Sequence, residues 1–159
     1  MLNGIDIEAW LAERSNAVRR SEREIVFEHP GGRKSLLLLT AGYKPAVNCP
    51  ALAEFFERFE GGFIGDGFLL IGTPDEPVAS STGVVIPTIE EIRSISVEQG
   101  IVFDEGETPF MTTAYMFVYA FSREGRLRCH DRDFSTVTED RTLVQVLNDW
   151  WTLKEADSS

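Results

Sequence analysis

Apolar residues recur at helical spacing in the first third of the chain. From about Ile5 to Arg23 they alternate with charged positions at helical intervals, and Asn3 or Asp6 is placed to cap a helix there. A second helix is predicted from Pro50, which suits a first helical turn. Its apolar positions follow the i, i+3, i+4, i+7 pattern and are Leu52, Phe55, Phe56 and Phe59. We expect the helix to end at the paired glycines Gly61 and Gly62.

Two further helices are predicted in the second half of the chain. Thr88 is followed by Glu91 three positions later, which is a capping-box pattern, and Gly100 is placed to end that helix. The last helix is predicted to begin after a cap at Thr138 or Asp140. It carries one apolar stripe with two further apolar residues beside it; the stripe is Leu143, Val146, Leu147 and Trp150, and the flanking residues are Val144 and Trp151.

Strand-like segments lie between these helices. The runs "SLLLLTAGY" and "GFLLIG" are short and apolar, and "TTAYMFVYAFS" is rich in aromatic and β-branched residues. A turn at "REG" joins the last of these to "RLRCHD", which predicts a hairpin. The segments "KPAVNCP" and "TPDEPVASSTGVVIP" are predicted to be loops. We therefore expect an α+β fold with a mainly antiparallel sheet flanked by helices, in a single domain over residues 1–159.

Composition agrees with a globular domain and excludes several classes. Of the 159 residues, 43% are apolar and 26% are charged, which is too apolar for a disordered chain. The start of the chain lacks the pattern of a signal peptide, and the longest aliphatic run, Leu36 to Leu39, is too short to span a bilayer. Cys49 and Cys129 are far apart in a chain that needs no covalent staple, so we expect reduced thiols. A cytoplasmic protein that does not enter membranes is predicted.

The net charge of −11 is concentrated in one segment. Residues 74–109 hold eight acidic residues and one basic residue, so they alone carry −7. Such a surface would repel nucleic acid, which is bound through cations, and would attract a basic protein. The alternative interpretation is that the charge only keeps the protein in solution. The acidic positions that we expect to form a protein-binding face are Asp75, Glu76, Glu90, Glu91, Asp104, Glu105 and Glu107.

The stretch "GGFIGDG" contains four glycines but does not match a phosphate-binding loop. Such a loop connects a strand to the start of a helix, whereas here a helix is predicted before the glycines and a strand after them. The spacing also fits neither a dinucleotide fingerprint nor a P-loop. We expect a structural turn, in which Gly61 or Gly62 caps the helix in the left-handed conformation and Gly65 and Gly67 turn the chain into the sheet.

The segment "RCHDRD" contains residue types that ligate metals. If it is a strand, neighbouring side chains point to opposite faces, so Cys129 and His130 cannot form a dyad. We expect a buried Cys129 and a solvent-facing His130, with no metal and no cofactor. The acidic loop around Glu105 lacks calcium-loop spacing. The alternative hypothesis is a small metal-dependent hydrolase that uses His130, Asp131 and Asp133.

Taken along the chain, these features resemble the SUKH superfamily (SMI1/KNR4-like proteins). The resemblance covers roughly residues 48–153 and includes the helix "CPALAEFFERFEGG", the hairpin "YMFVYAFSREGRLRCHDRDFSTV" and the closing helix "TLVQVLNDWW". Phe59, Gly61 and Gly62 match the family's helix end, and Trp150 and Trp151 match its aromatic last helix. The resemblance implies an α+β fold that binds other proteins without a catalytic centre. Many members resemble immunity proteins that neutralise a toxin, often a nuclease, and others resemble regulatory scaffolds.

These observations predict a non-catalytic protein-binding module. Its partner would be a basic protein, such as a toxin domain, occluded by the acidic face. Trp151 is a candidate interface anchor because tryptophan is over-represented among residues that dominate binding energy. A regulatory subunit that forms a homodimer through its last helix is a further hypothesis, as is the hydrolase described above.

Overall fold

A nine-stranded antiparallel sheet forms the centre of the molecule. The computed structural model describes residues 1–40 and 49–158, with side chains described as far as residue 155. Among these residues the sheet order is β1-β2-β3-β4-β5-β8-β9-β10-β11, and β6 and β7 form a separate two-stranded sheet. The strands are β1 Ala17–Arg20, β2 Glu24–Glu28, β3 Lys34–Leu39, β4 Phe59–Ile64, β5 Leu69–Ile71, β6 Val78–Ala79, β7 Val85–Ile86, β8 Thr108–Thr113, β9 Phe117–Phe121, β10 Leu127–Asp131 and β11 Thr136–Thr138.

The sheet is a meander with one excursion. Each strand pairs with the next along the chain, except that residues 72–107 leave the sheet after β5 and return at β8. We call these residues the insertion. It contains the β6–β7 hairpin and a helix. The four helices are α1 Ile7–Glu13, α2 Pro50–Phe56, α3 Ile89–Glu98, which lies within the insertion, and α4 Leu143–Ser158. The predicted α+β class with a mainly antiparallel sheet is confirmed.

One face of the sheet is covered by helices and holds the main core. We call it the helical face. Apolar side chains from α1, α2 and α4 pack there against alternate residues of most strands, because successive strand residues point to opposite faces. Fully buried members of this cluster include Leu11, Leu52, Leu147, Ile71 and Phe110. The stripe predicted on the last helix faces this core, since Leu143, Val146 and Leu147 are all completely buried.

The opposite face, the insertion face, has a thinner cover. Leu36, Leu38 and Phe63 pack there with Ile86 of the β6–β7 hairpin. Farther along the sheet, Ile92 of α3 packs with Ile101 and Val118. The segment predicted to be an irregular connection before α3 therefore contains a short hairpin that covers part of the sheet.

The first predicted helix is wrong beyond its first two turns. Asp6 caps α1, with its Oδ1 accepting a hydrogen bond from Ala9 N at 3.1 Å, but the helix ends at Glu13. Residues 17–20, which fall within the predicted helix, instead form β1, and β2 follows with Ile25 and Phe27 buried. Pairing of β1 with β2, which itself pairs with β3, outweighed the weak helical pattern.

The second predicted helix is also too long. It ends at Phe56, and Phe59 begins β4, so Gly61 and Gly62 lie within a strand and do not cap a helix. A side chain at Gly61 or Gly62 would collide with the backbone of Gly72 or Leu36 respectively. Both glycines are required by close strand approach. The predicted turn at Gly65 and Gly67 is confirmed, because both have positive φ between β4 and β5.

The segment "TTAYMFVYAFS" forms two strands and not one. Ala114 and Tyr115 adopt φ values of 49° and 61°, and the chain reverses between β8 and β9. The Thr112 hydroxyl accepts a hydrogen bond from Tyr115 N at 2.9 Å, which stabilises this turn. The predicted hairpin that follows, through residues 123–125 into β10, is confirmed by the β9–β10 pairing.

The N-terminal cap was predicted correctly for α3 and wrongly for α4. Thr88 caps α3, with its Oγ1 accepting from Glu91 N at 2.9 Å, and Gly100 follows the helix with positive φ. For α4 both predicted caps are wrong, because Thr138 lies in β11 and Asp140 lies three positions before the helix begins at Leu143. Thr142 N instead donates to Gln145 Oε1 at 2.8 Å.

Most of the loop predicted at "KPAVNCP" lies outside the described residues, which resume at Cys49. Within the described part of the chain, none of the helices has the length and apolar character that a bilayer crossing requires.

Candidate functional site: an acidic face on the insertion

Six of the seven carboxylates predicted to form a binding face are exposed on the insertion. They are Asp75, Glu76, Glu90, Glu91, Asp104 and Glu105. The seventh, Glu107, is only 1% exposed, so its assignment to the binding face is wrong. The insertion therefore carries most of the acidic excess on the outside of one face of the sheet.

Backbone pairing brings two of the acidic segments together. Thr73 and Thr88 form an isolated parallel bridge. Thr73 N donates to the Pro87 carbonyl at 2.8 Å, and Ile89 N donates to the Thr73 carbonyl at 2.8 Å. This bridge holds the loop with Asp75 and Glu76 beside the first turn of α3, which carries Glu90 and Glu91.

A compact turn holds the third acidic segment. Glu107 N donates to the Asp104 carbonyl at 3.1 Å, and Asp104 N donates to Glu107 Oε1 at 2.8 Å. Asp104 also pairs with Arg128 at 2.7 Å, although its side chain is 75% exposed. The turn therefore leaves the Asp104 and Glu105 side chains at the surface while Glu107 enters the interior.

The one basic residue of residues 74–109 is directed inward. Arg93 Nη2 donates to the Glu107 carbonyl at 2.6 Å. Its guanidinium carbon lies 5.7 Å from the centre of the Phe103 ring, which is within the range of a cation–π contact. Arg93 is therefore held by an uncharged carbonyl and an uncharged ring, and residues 74–109 keep their net charge of −7 with its charge included.

Beneath the acidic face lies a buried ionic network around Glu107. One oxygen of Glu107 contacts His130 Nε2, and the other lies 2.5 Å from Arg128 Nη1. Arg128 Nε lies 3.0 Å from Glu139 Oε1 without hydrogen-bond geometry. Burial acts to raise the pKa of Glu107, but the hydrogen bonds from His130 and from Asp104 N, with the nearby positive charge, hold that pKa below its ordinary value of 4.5.

This network reverses the expectation for the strand "RLRCHD". His130 is buried and Cys129 is half-buried, whereas a buried cysteine and a solvent-facing histidine were predicted. The reason is that both faces of the sheet are covered here. Cys129 points to the helical face, where burial raises the pKa of its thiol, and His130 points toward Phe103 on the insertion face. Cys129 and His130 point to opposite faces of the sheet, as predicted for neighbouring residues of a strand.

The residues of the hydrolase hypothesis do not converge. Asp131 Oδ1 accepts a hydrogen bond from Asp133 N at 3.0 Å and so stabilises the turn after β10, while His130 is directed into the interior. Within the described ranges, no group of three or more His, Cys, Asp or Glu side chains is arranged to hold a metal ion. The structure therefore gives no geometric support to a joint role for these residues.

Trp151 lies on the helical face, away from the insertion. Its ring packs edge-to-face against Trp10 and His29, at centroid distances of 5.6 and 4.7 Å, and Nε1 donates to Glu155 at 2.8 Å. The neighbouring Trp150 donates to the Tyr119 hydroxyl at 2.5 Å. Trp151 is half-buried and does not join the acidic residues into one surface.

A buried histidine on the helical face was not singled out from the sequence. His29 Nδ1 donates to the Arg14 carbonyl at 2.9 Å, so Nε2 of the neutral ring accepts from the Ser35 hydroxyl at 2.6 Å. Burial lowers the pKa of His29 below 6.5, against the effect of the Arg14 carbonyl. His29 is 15 positions from Arg14 and six from Ser35. These spacings match no known motif, so the sequence did not indicate this site.

A groove on the insertion face was also missed. It has a volume of about 820 Å³ and lies between the β1–β2 turn and β6. It is lined by Ser21, Glu22, Arg23, Glu24, Leu38, Leu39, Glu60, Val78, Ala79, Ser80 and Ser81. These residues come from four separate parts of the chain, and only the fold assembles them.

Searches against family models, curated proteins and solved structures found no match to this chain. The resemblance to the SUKH superfamily therefore stays a prediction.

Proposed function

We propose that this protein is a non-catalytic binding module that recognises a basic protein through its insertion face. In the most specific form of the proposal, it is a cytoplasmic immunity protein, and its partner is a toxin domain such as a nuclease. The observation that carries the proposal is the placement of six exposed carboxylates on one excursion of the chain, whose single arginine is turned inward.

The charge distribution favours electrostatic recognition of a basic partner. Carboxylates on the surface of one face attract a basic partner over a distance set by the ionic strength, about 8–10 Å at physiological salt. Such attraction raises the rate of association and disfavours acidic partners and nucleic acid. A basic nuclease surface that normally binds phosphates would be blocked by occlusion, without any chemical step in this protein.

The buried network supports the same proposal. Glu107 contacts both His130 and Arg128 beneath the turn formed by residues 104–107, and the Glu107 and His130 side chains are 0% and 3% exposed. These groups position the turn that carries Asp104 and Glu105. Burial keeps Glu107 and His130 from contact with a substrate, which favours a structural role.

The first experiment identifies the partner and tests the face together. The tagged protein is used to capture proteins from the native lysate at 50 mM and 500 mM salt, and bound proteins are identified by mass spectrometry. We expect a basic protein whose retention is lost at high salt. With the purified partner, the association rate constant of Glu90→Gln/Glu91→Gln should fall by about three- to tenfold at low salt, because electrostatic steering depends on these charges.

A matched double variant controls for net charge. Glu13→Gln/Glu57→Gln changes the charge by the same amount on exposed positions of α1 and after α2, on the helical face. We expect its association rate to stay within twofold of the unsubstituted protein. Equal losses in the two double variants would show that only overall charge matters. An immunity role further requires that the partner's activity be suppressed at a one-to-one ratio.

A regulatory subunit that dimerises through α4 is the second candidate. Val144 and Leu153 of this helix are exposed, at 37% and 52%, while its main apolar stripe is buried within the chain. A solution mass near 36 kDa, which Leu153→Asp returned to the 17.8 kDa of one chain, would support this candidate. A monomeric mass at concentrations around 100 μM would count against it.

A further inference from the structure

The groove on the insertion face combines an apolar floor with acidic rims. Leu38 is buried at its base, and Leu39 and Val78 are half-buried beside it. Its volume of about 820 Å³ lies within the range of roughly 300–1,000 Å³ that is typical of ligand clefts. A hydrogen bond from the Ser81 hydroxyl to Glu24 joins its two walls.

Carboxylates outnumber cations along the groove. Glu22, Glu24 and Glu60 line it, and Arg23 is the single basic residue among the lining residues. A smaller cavity of about 270 Å³ shares Glu60 and Val78 with the groove and adds Asp75 and Glu76. The two cavities are therefore adjacent, and acidic residues line both of them.

One wall of the groove is a strand with an open edge. Among the described residues, β6 pairs with β7 alone. Ser80 N donates to the Val84 carbonyl at 2.9 Å, and Ala79 lies opposite Val85. In an antiparallel pair the hydrogen-bonded residues alternate, so the N–H and C=O of Ala79 point away from β7. Ala79 is exposed and lines the groove.

We propose that this groove binds an extended, basic segment of the partner protein, which pairs with the open edge of β6. Backbone hydrogen bonds to Ala79 hold the segment, apolar side chains contact Leu38 and Val78, and lysine or arginine side chains reach the glutamates on the rims. This inference rests on the proposed function, since it names the part of the insertion face that recognises the partner and the form that the partner's segment takes.

The test uses a defined peptide and does not require the partner. A fluorescently labelled, end-capped pentapeptide, Lys-Val-Lys-Val-Lys, is titrated with the full-length protein at 50 mM salt, and binding is followed by fluorescence anisotropy. Two compounds serve as controls: Glu-Val-Glu-Val-Glu, which reverses the charge, and lysine amide, which is positively charged but too short to form a strand. We expect the basic pentapeptide to bind at least tenfold more tightly than either control.

Two pairs of variants locate the binding. Ala79→Pro removes the N–H donor, and it should leave the β6–β7 pairing intact because that N–H does not face β7. Ala79→Ser keeps the donor. We expect peptide binding to weaken at least fivefold in Ala79→Pro and less than twofold in Ala79→Ser. Glu60→Gln should weaken binding by two- to fourfold, and Glu57→Gln, at an exposed position outside the groove, should not. Urea unfolding of each variant confirms that it is folded.

Several results would overturn the proposal. They are absence of peptide binding, equal binding by the acidic peptide, equal binding by lysine amide, and equal weakening by the two Ala79 variants. If Ala79→Pro does not fold, amide NMR shifts of Val78, Ser80 and Ser81 in the unsubstituted protein decide the site, and shifts confined to other residues overturn it. Slower association of the partner with Glu90→Gln/Glu91→Gln, together with no peptide binding, would leave the proposed function standing and remove the groove from it. Peptide binding without any captured partner would leave the groove standing as a peptide-binding site and would count against the proposed function.

Discussion

The two faces of the sheet are covered in different ways. On the helical face, three helices bury a large cluster of aliphatic and aromatic side chains. On the insertion face, one excursion of the chain buries two small apolar clusters and an ionic network, and it carries six exposed carboxylates. Burial of apolar side chains stabilises the fold but is not directional, whereas charges on the surface favour some binding partners over others. The difference indicates that one face holds the fold together and the other is available for recognition.

The insertion is nevertheless held in place by specific hydrogen bonds. Its helix is capped at Thr88, its acidic turn is fixed by Glu107, and Thr73 bridges to Thr88 within the insertion. A rigid acidic surface loses less conformational entropy on binding than a flexible one. The comparison can be tested by substitutions on each face.

The largest effect is expected from breaking the buried network. Glu107→Ala leaves Arg128 and His130 without their buried partner, and loss of one member of a buried ion pair costs about 3–5 kcal/mol of unfolding free energy. Urea denaturation measures the change. Glu105→Ala, two positions away and exposed, is the control, and its effect should stay within about 0.5 kcal/mol. A loss below about 1 kcal/mol for Glu107→Ala would mean that the network does not hold the insertion.

Matched truncations compare the two apolar layers directly. Leu147→Ala on the helical face and Leu38→Ala on the insertion face remove the same atoms from buried positions that are 0% and 5% exposed. Such substitutions cost about 2–5 kcal/mol, depending on how far the surroundings can relax. We expect Leu147→Ala near the upper end and Leu38→Ala near the lower end, because Leu38 borders a groove. The reverse order in urea denaturation would contradict the assignment of the main core to the helical face.

A smaller effect concerns pH and His29 on the helical face. Its pKa is lower in the folded protein than the ordinary 6.5, so the unfolded chain binds the proton more readily. Stability should therefore be constant above about pH 7 and decrease as the pH falls below about 6.5. His29→Gln should be less stable at pH 7.5 but should lose less stability between pH 7.5 and pH 5.5. An unchanged pH dependence in this variant would show that His29 does not control it.

Local signals explain which parts of the fold were predictable from sequence. The cap at Thr88, the apolar stripe of α4 and the turn between β9 and β10 depend on neighbouring residues, and all three are confirmed. Long-range packing decided the rest. Residues 17–20, predicted to be helical, form β1 because they pair with β2, and cover on both faces of the sheet buried His130.

The candidate site was predictable only in outline. The concentration of charge in residues 74–109 is visible in the sequence, and six of its acidic side chains are exposed. The burial of Glu107 was not predictable, because its partners Arg128 and His130 lie more than 20 positions away. The groove could not be foreseen because Glu22, Glu60 and Ala79 are far apart in sequence and meet only where the β6–β7 hairpin packs against the main sheet.

The most direct test of the account is a hydrogen-exchange footprint. Amide exchange is measured for the protein alone and in complex with the purified partner, over peptides that cover the chain. We expect slower exchange on binding in residues 72–107 and in the β1–β2 turn around Glu22, with α1 and α4 unchanged. Slower exchange confined to α1 and α4 would contradict the central claim, because it would place the partner on the helical face.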